Sequence, residues 1–252
     1  MTKQSACILL LGVLLSMSAT AEITSSEQAL LDDAEIRRGV RFSSGMQWTV
    51  NAGSESSKDD ANATLIVRTQ GGKAAAEVVE PSTSAGKKYL LTGGQMYFYR
   101  PGTKRAVLVP RRQQVAGDAA IGDIASISFL QEYSPGSAHK ATLKGEACTQ
   151  FELNARPGTT ASYDKVLLWV ANGDRVSRKA EFYTKTGKLI RTATFQHNSS
   201  ITLGGKEVPF LSKLEVVEML GSAKTTVLNF RDFKTKNFPA EIFEVDHLPA
   251  AS

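Results

Sequence analysis

The feature that most constrains this chain is a change of period. From about residue 64 onward, apolar and polar residues alternate in short segments with a period of two. Thr64–Arg68, Ala74–Glu80, Lys87–Leu91, Gln95–Arg100, Lys104–Pro110, Cys148–Ala155, Tyr163–Ala171, Arg178–Thr184, Lys188–Asn198, Lys213–Met219 and Lys224–Phe233 all read as strands. Thr92-Gly93-Gly94, Pro101-Gly102, Asn172-Gly173-Asp174, Thr186-Gly187 and Gly204-Gly205 separate several of them and are short enough for hairpins. Neighbours joined by such turns run antiparallel. No glycine fingerprint follows a strand and opens a helix, which argues against a nucleotide-binding α/β fold. No repeat or linker divides the chain, so residues 22–252 read as one domain.

Ahead of the strands the period is helical. Thr24-Ser25-Ser26-Glu27 has the spacing of a capping box. Ala29, Leu30, Leu31, Ala34 and Ile36 follow at helical spacing, and Gly39 ends them, predicting a helix over about 25–38. Residues 51–63, rich in Ser, Asn, Asp and Gly, read as a loop. A second helical segment is expected within 117–133, closed by Pro135-Gly136. Its apolar residues include Ile121, Ile124, Ile127 and Phe129, and Gly117 and Gly122 flank or interrupt it. So short a helix holds only by packing its apolar face. The expectation is a lid over the open side of a curved sheet that moves when ligand enters, with a fixed plug that completes an ordinary core as the alternative.

So many strands must pair two sheets or curl into a barrel. Strand parity assigns Met96, Phe98, Leu167, Trp169, Phe182, Phe195, Leu228 and Phe230 to the concave face, with Trp48 near it. Arg191 interrupts the row in its strand. The segment 163–171 is apolar on both faces, which suggests a strand covered on both sides.

Residues 1–21 have the form of a cleaved export signal: Lys3, an apolar run from Cys7 to Leu15, and Ala19-Thr20-Ala21. Cys7 opens the apolar run instead of following it, so no lipid anchor is expected. The mature chain then holds Cys148 as a lone thiol, read as a small buried or half-buried side chain. Two Cys and three His are too few for a disulfide framework or a Cys/His metal site. Neither a nucleophile elbow, a zinc-protease motif nor a phosphate loop is present, so no catalytic residue, metal or cofactor is assigned and the chain reads as a non-enzyme. The formal charge is +5. Arg37-Arg38 with Arg41, and Lys104-Arg105 with Arg111-Arg112, form two basic clusters. Export argues against nucleic acid, leaving a solvated surface or contact with anionic head groups or an acidic partner.

From Tyr89 onward the chain resembles a known family. Leu90-Leu91-Thr92-Gly93-Gly94-Gln95-Met96-Tyr97-Phe98-Tyr99-Arg100-Pro101 followed by Arg105 is similar to a block of the outer-membrane lipoprotein-sorting proteins of the LolA/LolB-like superfamily. The stretches Gly145 to Leu153, Tyr163 to Val170, Arg178 to Tyr183 and Gly187 to Leu189 resemble its next blocks in order. Phe230-Arg231-Asp232 and Phe238-Pro239-Ala240-Glu241-Ile242-Phe243 resemble its C-terminal pattern. Tyr97 or Phe98 stands where the family often has Trp, and the region around Gly117–Ile124 departs from it. The resemblance implies an unclosed, strongly curved antiparallel β-barrel with helices on its concave face. It implies a periplasmic carrier or chaperone that shields acyl chains of a lipid or lipoprotein on the way to the outer membrane. An inner-membrane transporter is among the partners expected, with peripheral membrane contact. The alternative is a non-enzymatic accessory or adaptor of an envelope transporter or sensor.

Overall fold

The computed structural model describes residues 23–39, 44–54, 62–110, 114–116, 119–120, 128–159, 161–221 and 224–249. The export signal and the lid residues Ile121, Ile124 and Ile127 lie outside the described residues.

Helix α1 spans Ser25–Ile36. The expected capping box forms: Thr24 Oγ1 accepts from the Glu27 amide at 3.3 Å, and Glu27 accepts from the Thr24 amide at 2.7 Å. Gly39 follows the last turn at φ +85°, a left-handed conformation that suits glycine. A Cβ there would stand 3.1 Å from the Phe210 ring and 3.4 Å from Trp48, so close packing demands glycine as well.

One meander follows α1: β1 (Met46–Ser54), β2 (Ala63–Gln70), β3 (Lys73–Glu80), β4 (Lys88–Thr92), β5 (Gln95–Tyr99) and β6 (Val107–Val109). β7 (Gln114–Ala116) and β8 (Ala119–Ala120) pair with each other. Helix α2 (Phe129–Glu132) then opens a second meander of β9 (Tyr133–Leu143), β10 (Glu146–Ala155), β11 (Lys165–Ala171), β12 (Ser177–Tyr183) and β13 (Leu189–Gln196). The hairpin β14 (Ser199–Leu203) and β15 (Lys206–Phe210) stands apart, and β16 (Lys213–Glu218) and β17 (Lys224–Thr235) complete the sheet. The order is β6-β5-β4-β3-β2-β1-β17-β16-β13-β12-β11-β10-β9, a 13-stranded antiparallel sheet in which β1 and β17 join the two meanders. Its two edges, β6 and β9, do not pair with one another, so the curved sheet is an unclosed barrel. Register shifts at Gln47/Thr49, Thr64/Leu65, Glu152/Leu153, Trp169/Val170 and Phe182/Tyr183 are bulges, which bend strands and sharpen their twist.

Two expectations fail here. Residues 51–54 are not loop: they end β1, a central strand, whose outward face carries Gln47, Thr49 and Asn51 while Trp48, Val50 and Ala52 face the core. The outward polar row hid the inward one. Pro135-Gly136 does not stop a helix; it lies inside β9, where Leu153 pairs with Pro135 at a bulge. β9 is an edge strand, the place in a sheet that tolerates proline. Of the expected segment 117–133, the described part is β8 and the four-residue α2.

Nearly all the apolar interior belongs to one cluster on the concave face. A smaller cluster on the other face sets Ala75, Leu90 and Tyr99 beneath two C-terminal 3₁₀ turns carrying Phe238, Phe243 and Leu248. No helix among the described residues is long and apolar enough to cross a membrane.

Candidate functional site

The candidate site is the concave face and its roof. The floor comes from side chains of one parity along successive strands. Trp48 and Val50 of β1, Leu228 and Phe230 of β17, Ala193 and Phe195 of β13, and Ala180 and Phe182 of β12 are all buried in one cluster. Met96 of β5 belongs to it, and Phe98 is half-buried against it. The structure thus brings seven of the expected cavity residues, Trp48, Met96, Phe182, Phe195, Leu228, Phe230 and the edge of Phe98, onto one continuous apolar surface.

Leu167 and Trp169 are a correction. Directly opposed residues of an antiparallel pair point to the same side. Val166 opposes Phe182 and Leu168 opposes Ala180, so Val166, Leu168 and Val170 form the inward row of β11. Leu167 opposes Glu181 and Trp169 opposes Lys179, which places both on the outer face. There the Lys179 ammonium lies 4.9 Å from the Trp169 ring. A strand apolar on both faces has two parity solutions, and the pairing with β12 selects the other one.

The roof consists of α1, α2 and the end of β15. Leu30, Leu31 and Ala34 of α1 and Phe210 with Leu211 pack onto the floor. Phe129, the described member of the expected lid, is half-buried on α2 with its ring centroid 6.2 Å from those of Tyr133 and Phe182. The end of α1 is tied down by backbone: the Leu211 amide donates to Arg37 O at 3.1 Å, and Thr69 Oγ1 donates to Gly39 O at 3.3 Å.

A polar knot joins the two helices inside this apolar roof. Glu35 is 2% exposed and Arg38 5% exposed, and they pair at 3.0 Å. Glu35 also accepts from the Ser128 hydroxyl and, at 3.3 Å, from the Phe129 amide. Ser128 in turn caps α2 by accepting from the Gln131 amide. The Arg38 guanidinium lies 4.3 Å from the Phe129 ring centroid and 5.5 Å from that of Phe195. Sequence reading took Arg37-Arg38 for a surface cluster. The signal for the knot was Glu35, an acid on the Leu31-Ala34 side of an otherwise apolar stripe.

Two further polar groups are buried. Neither His197 nitrogen has a hydrogen-bond partner among the described residues, and both are buried. Burial first, then the charges of Arg178, Arg38 and Arg37, pushes the His197 imidazole down to about 3, so it is neutral at pH 7. The Trp48 indole N–H is likewise buried without a partner among the described residues. Arg191, the interruption in β13, is buried and donates to Glu218 across the strand pair at 3.2 and 3.3 Å. Cys148 is a buried free thiol, raised in pKa by burial and then by the Glu146 charge.

Clefts also open on the other face. One of about 1050 Å³ is lined by Asn51, Thr64, Glu80, Lys213 and Asn229, and one of about 420 Å³ lies beneath the C-terminal turns. Among the described residues no three His, Cys, Asp or Glu side chains group to hold a metal ion.

A family model described as an uncharacterized protein matches residues 71–250. No curated protein matches the chain in sequence. Among solved structures, a LolA superfamily protein from Nitrosomonas europaea is 25% identical with a TM-score of 0.73, covering 87% of this chain and 98% of that one. An outer membrane lipoprotein-sorting protein domain from Vibrio parahaemolyticus is 16% identical with a TM-score of 0.71, covering 89% and 100%. A DUF1329 family protein from Desulfovibrio piger is 16% identical with a TM-score of 0.68, covering 88% and 98%.

Proposed function

Because this chain belongs to that family of uncharacterized proteins and shares its fold with a LolA superfamily protein, we propose that it is a periplasmic carrier that shields acyl chains of a lipid or lipoprotein. The observation that carries the reading is the combination of floor and roof. The floor is one unbroken apolar surface running across both meanders. The roof over it is two short helices whose junction is a buried carboxylate and guanidinium. Exposing an acyl chain to water costs about 0.8 kcal/mol per methylene, so an aqueous crossing requires a shielded surface of this kind. A polar junction suits a roof that must open, because the bonds from Glu35 to the Ser128 hydroxyl and the Phe129 amide can pass to water, whereas interdigitated side chains lose their burial outright. The Trp48 N–H and His197 would face the polar linkage at the head of the chain, which supplies the hydrogen-bond partners they lack among the described residues.

In this reading the protein performs no covalent chemistry. The sheet holds its shape, α1 and α2 separate, and the cargo replaces their apolar faces on the floor. Loading and release are then the same exchange run in opposite directions, driven by the donor and acceptor surfaces.

A second reading rests on one observation: the floor is already covered, with Trp48, Leu31 and Phe210 each 1% exposed. A permanently filled core would make the fold a docking module, an adaptor of an envelope transporter or sensor. Lipid extraction and mass spectrometry of protein purified without detergent separates the two. Bound acyl lipid, with displacement of a fluorescent fatty-acid probe by that lipid, supports the carrier. A protein free of lipid that also fails to take up the probe refutes it and favours the adaptor.

A further inference from the structure

The positive charge of this chain is concentrated in one place. Between Pro81 and Gly117 the sequence has seven Lys and Arg and not one Asp or Glu, although the whole chain carries only +5. The remainder is therefore net acidic. At the centre of this stretch the structure puts Arg100, Lys104 and Arg105 on the surface at the turn from β5 into β6. β6 is the outermost strand of its meander. Its Val107 and Leu108 are 54% and 61% exposed, the most exposed large hydrophobic side chains among the described residues. Successive strand residues point to opposite faces, so apolar surface is bare on both sides of this edge. The tip has a firm base: Ala106 packs against the cluster beneath the C-terminal turns, and Thr103 Oγ1 donates to Arg100 O at 2.7 Å across the turn.

We propose that this tip docks the protein onto an anionic lipid bilayer, with Val107 and Leu108 entering the interface and Arg100, Lys104 and Arg105 meeting the lipid phosphates. Bare aliphatic groups ringed by cations of one sign complement a surface that is anionic outside and apolar beneath. An edge strand can also accept an added strand from a partner. Two features favour the bilayer. β6 is only three residues long, which gives an added strand few ladder bonds. An added strand would also cover the edge but leave the side chains of Val107 and Leu108 exposed on the two faces, whereas an interface surrounds the tip on both. The surface is distant in the strand order from the β10 to β13 half of the concave floor, and the inference does not depend on what that floor holds.

The test is flotation of the full-length mature protein with vesicles of phosphatidylcholine alone or mixed with phosphatidylglycerol. The wild type should float with the mixed vesicles, bind the neutral ones weakly, and lose binding as salt rises. Replacing Lys104 and Arg105 together by Ala should lower partitioning about 25-fold at low salt, fivefold for each cation. Leu108→Glu should abolish flotation while circular dichroism and the fatty-acid probe signal stay as in wild type. The control pair Lys188→Ala and Lys206→Ala, exposed cations elsewhere, should float normally. Equal binding to both vesicle types, no flotation by the wild type, or normal flotation of Leu108→Glu overturns the proposal. So does recovery of the tip in complex with an acidic extended peptide in place of vesicles. A wild type that floats but takes up no fatty-acid probe refutes the carrier reading alone.

Discussion

Replacing Glu35 tests the junction of the two roof helices directly. Its two oxygens accept from Arg38 at 3.0 Å, from the Phe129 amide at 3.3 Å and from the Ser128 hydroxyl. Glu35→Gln keeps the shape and one accepting oxygen, and the Ser128 hydroxyl can turn to accept from the new amide. What it loses is charge assistance on the Arg38 bond, the difference between about 1.5–3 kcal/mol for a charged hydrogen bond and about 0.5–1.5 for a neutral one. The expected cost is about 1–2 kcal/mol, or roughly 2–8 °C in Tm for a domain of this size. Glu35→Ala removes every acceptor and leaves a guanidinium that is 5% exposed without its carboxylate; breaking a buried pair in this way costs about 3–5 kcal/mol. Glu35→Met with Arg38→Met restores apolar packing of similar length and should come back to within about 1 kcal/mol of wild type. Urea unfolding of wild type, the single variants Glu35→Met and Arg38→Met, and the double Met variant closes a double-mutant cycle, with an expected coupling above about 1 kcal/mol. In stopped-flow mixing with a fatty-acid probe, Glu35→Gln should load faster than wild type and the double Met variant more slowly. If Glu35→Ala unfolds within about 0.5 kcal/mol of wild type, or the cycle is additive, the pair behaves like a surface ion pair. The buried junction then contributes nothing to holding the roof closed.

His197 predicts an acid-sensitive fold. Its pKa lies at about 3 in the folded state against an ordinary value of 6.5, so the unfolded chain binds the proton more readily. Stability is full above pH 6.5 and falls as pH drops from there toward 3, by about 1.4 kcal/mol per unit, or about 2 kcal/mol at pH 5. His197→Gln should flatten the Tm profile across that window; an unchanged slope would assign the acid sensitivity to other groups. Trp48→Ala should cost about 3–5 kcal/mol because it empties a fully buried site, while Trp169→Ala on the outer face should cost less than half as much. Equal losses in urea unfolding would reverse the facing of β11. Cys148, buried and raised in pKa, should resist Ellman's reagent in the folded protein and react at once in guanidinium; rapid native labelling would show that its strand opens.

The sheet was legible because its signal is local. Alternation and glycine turns are written within each segment, and the capping box at Thr24 to Glu27 formed as its spacing required. What failed depended on relations between segments. β1 was hidden because its outward residues, Asn51 among them, meet polar neighbours such as Thr64 (2.9 Å) and so look like loop. β9 was hidden because an edge strand tolerates Pro135. The facing of Leu167 and Trp169 was undecidable in their own strand and was decided only by the register against Lys179 and Glu181. The Glu35 knot joins residues 93 and 94 positions apart, which no window of sequence displays.

The order of elements bears on how the proposed opening of the roof could leave the sheet intact. Each meander begins with a helix: α1 leads into β1 and the first six strands, α2 into β9 and the rest. The strands are held by continuous ladders from β6 to β9. The helices, by contrast, meet each other at the two starting points, where no ladder bond connects them. Separating them therefore breaks the Glu35 contacts and uncovers apolar area but leaves every strand pair intact. The fastened end of α1 is its last turn, through Arg37 O and Gly39 O. In the same last turn, Asp33 meets Arg175 in a pair with side chains 35% and 37% exposed, and such pairs contribute about 0–1 kcal/mol. The free energy of opening is then set by Leu30, Leu31, Ala34 and Phe129 leaving the floor, about 1.5–3 kcal/mol for each large side chain. On the carrier function proposed above, an incoming acyl chain that covers the same floor returns that energy, so the helices would yield to cargo and close again without it.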